Sequence, residues 1–518
     1  MIIPKRIWAV TLGLSILLLM PFSALIGALF SPSNAIWDHV RETLLPTYLF
    51  HTTLVLVISV TLATVIGASL GFLFARRAFP AKKWWRLALI LPLAIPSYVY
   101  AMITADLFSI TGLVGRTLAQ LGVGVSLSWM NIPGVSVMFA LALYPYVFLL
   151  TESTLRHHGT HYETAAAQLG VGPLKVFFKI TLPLVLPGIM AGASLVAFEV
   201  LNDYGTVAYF NIPVFSFAIF DAWFRLGDLT TALRIGGYFI VFTFLLSWAM
   251  DRLKKPRGGR LETPKAPLTK LKKPKRVMAW MGLFWLLTTG IPILQLIHYL
   301  TLAPLPSGLF MALFRTAWVS AFVVAIILVL SLVLMQPLRR RRMPVIRMAS
   351  LGYVIPGSII AVSLMGLTRD LDVNSLGFLG GSFLRYSVAI VIFAMVIRFL
   401  TLGMNALTSG YKKMGVRYSL AAQSLGKSWH QTLRQVDIPL LRESLISAGL
   451  LIAIDLIKEL PLTLMLRPFG FETLSTLVFR SMQNEEIARA AGPALGMIGL
   501  SAVALIFMMK ERQSDARN

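Results

Sequence analysis

YETAAAQLGVGPLKVFFKITLP, residues 162–183, and YSLAAQSLGKSWHQTLRQVDIP, residues 418–439, are two versions of one segment. Tyr162 and Tyr418, Ala165 and Ala421, Ala166 and Ala422, Leu169 and Leu425, Gly170 and Gly426, and Pro183 and Pro439 each lie 256 positions apart in a chain of 518 residues. That offset is close to half the chain. Both copies are partly polar in a sequence that is otherwise very apolar. The fold therefore has to be built from two copies of one design.

The composition says what surrounds the repeat. The chain is 57% hydrophobic and 13% charged, which excludes an ordinary soluble globular protein. Many apolar runs reach the roughly 20 residues that cross a bilayer as a helix. In lipid every backbone group must pair within its own segment, so these runs are helices. The reading is an all-α polytopic membrane protein. Six spans are expected in the first half, at about 7–30, 49–75, 86–108, 132–153, 184–206 and 231–250. Six more follow at about 277–302, 310–336, 346–368, 385–407, 440–465 and 490–509. The run after Lys5 and Arg6 is longer than the apolar core of a cleaved leader, and reads as a retained first helix.

The net charge of +25 raises nucleic acid as a partner. The placement of the charge argues against it, because Lys and Arg cluster in short segments between apolar runs, as in cytoplasmic loops. Starting with Lys5 and Arg6 inside, the inside loops hold Arg76, Arg77, Lys82, Lys83 and Arg86, then Arg156, Lys175 and Lys179. In the second half they hold Arg339 to Arg342 with Arg347, then Lys412, Lys413, Arg417, Lys427 and Arg434. Both termini come out cytoplasmic. Residues 251–276 carry eleven Lys or Arg against two acids, with several prolines. They read as a solvated linker between a first half, 1–250, and a second half, 277–518, with anionic lipid headgroups as its partner. Agreements outside the segment, Arg76-Arg77 with Arg339-Arg340 and Pro96 with Pro356, stand 260 to 263 apart, so insertions separate the copies. Six spans per half keep both copies on one side, which makes the repeat parallel.

Each copy falls inside, between the fourth and fifth spans of its half. The alanines after Tyr162 suit a short helix. Gly170 suits its stop, since glycine takes the left-handed conformation at little cost. Pro173 suits the first turn of the next helix, and Ser428 suits a cap at the same place in copy two. Val176, Phe177 and Ile180, and Leu433 and Val436, give each second arm an apolar side. The result is a helix–glycine–helix hairpin of a kind that fits a groove on another protein. A connector lying on the bilayer surface is the plainer reading, but it leaves unexplained why the motif and its 13-residue Gly-to-Pro spacing occur twice.

These residues resemble the EAA loop of permease subunits of ATP-binding-cassette importers. The match covers Ala165, Ala166, Leu169, Gly170, Ile180, Leu182 and Pro183, and in copy two Ala421, Ala422, Leu425, Gly426, Val436, Ile438 and Pro439. The loop's usual first glutamate is replaced by Thr164 and Leu420, with Glu163 one position earlier in copy one only. The resemblance implies two tandem six-helix permease halves of the type I, MetI-like fold. It implies that the hairpins, with Glu163 among their residues, dock on two copies of an ATPase subunit. It implies an external substrate-binding protein, periplasmic or lipid-anchored, and a place in the bacterial cytoplasmic (inner) membrane. Residues 202–228 and 454–476 look like the fused permeases of ferric-iron importers, whose relatives handle thiamine, polyamines or phosphonates. No cofactor is expected on this chain. It has no cysteine and no Walker A pattern, so ATP belongs to the partner.

Four carboxylates sit at membrane depth: Glu199 and Asp203, and 256 residues later Asp455 and Glu459. Intramembrane charge marks a functional candidate. The residues either line a translocation pathway or serve packing, with Lys458 placed to neutralise Asp455. Tyr98, Tyr100, Tyr144 and Tyr146 read as core or interface residues. The histidines, including His157, His158 and His161, form no metal-ligand spacing, and no catalytic constellation stands out. An ion-coupled six-plus-six secondary transporter is the competing class. It predicts a buried charge relay and no duplicated hairpin.

Overall fold

The structure is a computed structural model that describes residues 5–110, 112–122, 129–157, 161–253, 269–271, 273–338, 352–373, 387–415 and 417–514. Arg339 to Arg342, Arg347, His158 and most of the linker lie outside the described residues.

Among the described residues, nine helices are long and apolar enough to cross a bilayer, and a bent pair makes a tenth. The bent pair is the expected first span, 7–30. It turns by 48° between Ile7–Leu19 and Phe22–Leu29. Pro21 stands at the break, where its ring and missing N–H stop the helix from continuing. The expected span 346–368 is represented by Gly357–Val373. The expected span 440–465 is divided into Arg442–Lys458 and Pro461–Leu466. Its counterpart in the first half, expected at 184–206, is divided in the same way into Leu182–Asn202 and Gly205–Tyr209.

The third spans also share a device. Helix Ser97–Phe108 begins directly after Pro96, and Gly357–Val373 directly after Pro356. Ile95 is extended, the conformation a following proline imposes.

Packing divides the molecule into two compact units. The first contains residues 1–42, 218–240 and 305–518, and the second 43–217 and 241–304. The repeat divides the sequence at the linker, whereas the packing units interleave across it.

In the second unit Leu45–Arg76, Ile132–His157 and Leu182–Asn202 pack against one another. Close approach depends on small residues. A methyl group on Gly67 would stand 2.6 Å from the Tyr144 carbonyl. Tyr144 is buried and donates its hydroxyl to the Leu89 carbonyl at 2.8 Å. Tyr98 and Tyr100 are buried as well. At one edge of this unit Arg77–Ala78 pairs in parallel with Thr269–Lys270, at the end of the linker. In the first unit Leu309–Leu338, Val388–Met414, Arg442–Lys458 and Ile487–Ser514 form the bundle. Arg234 is buried there and donates to the carbonyls of Ala28 at 3.0 Å and Pro32 at 2.7 Å, which closes the end of helix Phe22–Leu29.

Candidate functional site

Both repeats fold as hairpins. In copy one, helix His161–Gln168 ends at Gly170, whose φ is +76°. A new helix starts at Pro173, runs to Val176, and widens into a π turn at Phe177–Thr181 before Leu182–Asn202 begins. In copy two, helix Arg417–Ser424 ends at Gly426, with φ +84°. Ser428 caps helix Trp429–Thr432 in a reciprocal pair with Gln431, and a π turn follows at Leu433–Asp437. The π turns precede Pro183 and Pro439. A proline has no N–H for the carbonyl four residues back, so the helix accommodates it by a wider turn.

The side chains sort the same way in both copies. Ala166 and Ala422 face the protein, and Ala165 and Ala421 face out. Leu169 and Leu425, each just before the glycine, are both 83% exposed. Leu174, Phe178, Tyr162 and Tyr418 are exposed beside them. Val176 is buried, and Phe177 and Ile180 are half-buried, so the expected apolar side does turn inward. The Phe177 ring lies 5.2 Å from that of Phe72, on the Leu45–Arg76 helix. Isolated exposed leucines need no explanation. A pair at one position of a duplicated hairpin is a matched pair of exposed apolar side chains.

Glu163 does not reach outward. Its carboxylate pairs with Arg76 at 2.9 Å and accepts the Thr181 hydroxyl at 2.9 Å. Thr164, in the position of the usual loop glutamate, is exposed. Nearby, Glu152 is fully buried between Arg86 at 2.8 Å and Arg156 at 2.7 Å. Burial, with the Arg156 charge next, pushes Lys82 down to about 8 against the pull of Glu152.

The four carboxylates divide into two kinds. Asp203 and Glu459 sit in the breaks of the two fifth spans and cap the helices that restart there. Asp203 accepts the Thr206 N–H at 2.7 Å and the Ser97 hydroxyl. Glu459 accepts the N–H of Leu462 at 2.9 Å and of Thr463 at 3.1 Å, and the Thr463 hydroxyl. Each backbone carbonyl at the break accepts a serine: Ser216 at 2.9 Å in one, Ser475 at 2.7 Å in the other. A carboxylate at a helix start satisfies free N–H groups and meets the positive end of the dipole. Asp455 pairs with Lys458 at 3.6 Å, as their spacing suggests. Glu199 is half-buried one turn before Asp203. The capping serines and threonines were missed in the sequence, because nothing in Ser97, Ser216 or Ser475 announces a partner. Among the described residues no group of three or more His, Asp or Glu stands ready to hold a metal.

Helices long and apolar enough to cross a membrane, with a duplicated hairpin before each broken fifth span, suit a transport subunit. Residues 65–256 match the family model described as binding-protein-dependent transport system inner membrane component. The chain is 24% identical over 481 residues, 89% of each chain, to an Fe(3+)-transport system permease protein of Haemophilus influenzae. It is 29% identical over 266 residues to a sulfate transport system permease protein of Salmonella typhimurium, covering 49% of this chain and 95% of the relative. It is 30% identical over 152 residues to a molybdenum transport system permease protein of Mycobacterium tuberculosis, covering 29% of this chain and 56% of the relative. Half of this chain thus matches nearly the whole of the sulfate relative. Along nearly its whole length the chain is similar to permeases of binding-protein-dependent importers, a family that generally works with an ATPase and a substrate-binding protein.

Proposed function

We propose that this permease carries ferric iron, and that its two hairpins are the docking elements for two copies of an ATPase subunit. The observation that carries the docking reading is the matched pair Leu169 and Leu425, equally exposed at the same point of two hairpins built alike. Iron is supported by the ferric relative, whose similarity runs over nearly the whole fused chain, whereas the sulfate relative aligns with about half of it. The halves 1–250 and 277–518 supply both sides of one pore, joined by the basic linker 251–276. Both termini and the hairpins face the cytoplasm. No cofactor resides on the chain, and ATP is hydrolysed on the partners.

In this mechanism ATP draws the two ATPase subunits together and displaces both hairpins. The displacement reaches the fifth spans through the π turns. Each fifth span is interrupted at a capped break, and so has a defined place to bend. The binding protein delivers substrate while the halves face outward. ATPase closure has to favour one of two arrangements, because a partner shifts an equilibrium only by binding its two states differently.

The test is reconstitution of the permease in proteoliposomes with its ATPase and its binding protein. Uptake of radioactive Fe(III) that needs both partners and ATP supports the reading. Iron uptake driven by an ion gradient without the ATPase would establish the secondary-transport class instead. Uptake of sulfate, molybdate, thiamine, a polyamine or a phosphonate in place of iron would overturn the substrate while leaving the mechanism.

A further inference from the structure

The roots of the two hairpins are closed by one bond with its chemistry exchanged. In copy one the first arm contributes a carboxylate, Glu163, and the π turn a hydroxyl, Thr181, which donates at 2.9 Å. The positions 256 residues later hold Ser419 and Asp437. There the first arm contributes the hydroxyl and the π turn the carboxylate, and Ser419 donates to Asp437 at 2.7 Å. Donor and acceptor have traded places across the same gap. Both bonds are shielded: Ser419, Asp437 and Thr181 are buried, and Glu163 is largely so.

Each carboxylate is also held by the end of its unit's second span. Arg76, the last residue of Leu45–Arg76, reaches Glu163 directly at 2.9 Å. Gln336, near the end of Leu309–Leu338, stands three positions before Arg339, the sequence counterpart of Arg76. Its amide donates to the Tyr411 hydroxyl at 2.9 Å, and Tyr411 donates to Asp437 at 3.5 Å. A long guanidinium in one unit is replaced by a shorter amide and a bridging phenol in the other. Two different residue sets reach the same connection between first arm, π turn and second span. Packing alone would not require that.

We propose that this connection is a latch that makes each hairpin a rigid lever on the second and fifth spans. Arg76, Glu163 and Thr181, and Gln336, Tyr411, Ser419 and Asp437, are then positioning residues for energy coupling. The inference rests on the reading of the hairpins as ATPase-docking elements. The need for a latch follows from the hairpin's build. Its second arm runs through the π turn into the fifth span as one helix, Pro173–Asn202, but its first arm, His161–Gln168, is only eight residues, and so short a helix has little stiffness of its own. Its apex is a glycine with open space around it. A push on Leu169 would be absorbed by bending at the root unless the root were closed.

The exchange supplies the test. In the reconstituted complete transporter, substrate taken up is measured per ATP hydrolysed. Glu163→Ser breaks the latch and is expected to lower this ratio roughly three- to tenfold, in the lower part of the range of coupling between contacting side chains. Glu163→Ser with Thr181→Asp installs the chemistry of copy two in copy one, and is expected to restore the ratio to within about twofold of the unmodified protein. In copy two Ser419→Glu with Asp437→Thr is the reciprocal. Should Glu163→Ser fail to fold, Thr181→Val and Thr181→Ser carry the same contrast, the valine uncoupling and the serine not. Double exchanges no better than the singles, or singles that couple fully, overturn the latch. Failure of the docking reading shows separately: Leu169→Asn with Leu425→Asn would leave ATPase co-purification unchanged. If those leucine variants lose the ATPase while Glu163→Ser keeps full coupling, docking stands and the latch falls.

Discussion

Replacing Gly170 by alanine tests whether the hairpin apex is set by backbone conformation or by bulk. Gly170 has φ +76°, and a Cβ built on it meets nothing within 4 Å. The substitution therefore creates no clash within the chain, and its cost is that of holding an L-residue in the left-handed region. That cost is about 1–2 kcal/mol. At 1.4 kcal/mol per factor of ten, it lowers the occupancy of the native turn roughly five- to thirtyfold. Asparagine visits the same region more readily and is expected to lose less, although it is larger than alanine. Valine, branched at Cβ, is expected to lose most. The assay is titration of detergent-solubilised permease with purified ATPase, reading the apparent Kd for glycine, alanine, asparagine and valine at position 170. The series is repeated at Gly426, where φ is +84° and the space is equally open. Affinity that falls in order of side-chain volume, with asparagine worse than alanine, would refute the backbone argument and point to a tight apex contact. An alanine variant that binds like the wild type would refute the need for the turn.

Other perturbations separate further roles. Leu169→Asn and Leu425→Asn each remove an apolar side chain that is 83% exposed; complete burial of a leucine contributes about 1.5–3 kcal/mol, so each is expected to weaken ATPase retention on an affinity column by up to roughly a hundredfold. Asp203→Asn keeps an acceptor for the Thr206 N–H and is expected to leave the KM for uptake unchanged. Asp203→Ala loses the cap, about 0.5–2 kcal/mol, and is expected to lower the thermal midpoint; a raised KM with full stability in the Asn variant would instead make Asp203 a substrate contact. Lys82 is held down at about 8 from 10.5. Between those values the unfolded chain binds more protons than the folded one, so this residue makes stability rise with pH. Below about 8 both states are protonated and the penalty is constant. Lys82→Met is thus expected to show its greatest gain in thermal midpoint, relative to wild type, below pH 8, with the difference shrinking toward pH 10; a constant difference across that range would contradict the shift.

What the sequence made legible was whatever local chemistry decides. Gly170, Gly426, Pro173 and Ser428 act on their own backbone or on residues three or four away, and each stands where its type suggests. The duplication told of two hairpins because a repeat needs no contact to be seen. Hydropathy, however, runs straight through Asp203 and Glu459, so spans five and eleven looked continuous. The breaks arise where buried acceptors meet serines from other helices, such as Ser97, 106 residues away from Asp203. The ion pair of Glu163 is hidden in the sequence for the same reason. Its partner Arg76 is 87 residues distant, and distance along the chain hides it. The interleaving of the packing units was equally hidden, since each apolar helix is suited to many neighbours.

That interleaving bears on how the protein is made. Residues 1–42 belong to a unit whose other large part, 305–518, is the last to be synthesised. At about 5–20 residues per second, the first helix spends roughly ten seconds to a minute in the membrane before its final neighbours begin to emerge. Helix Pro274–Trp285, made after the linker, completes the unit begun by residues 43–217. Folding in order of synthesis, one half at a time, is therefore closed to this chain. The bent first span, Ile7–Leu19 and Phe22–Leu29, is expected to be held by lipid or by an insertase until the second half arrives. Cutting the gene within the linker should give two fragments that are each short of a helix and mature only when made together.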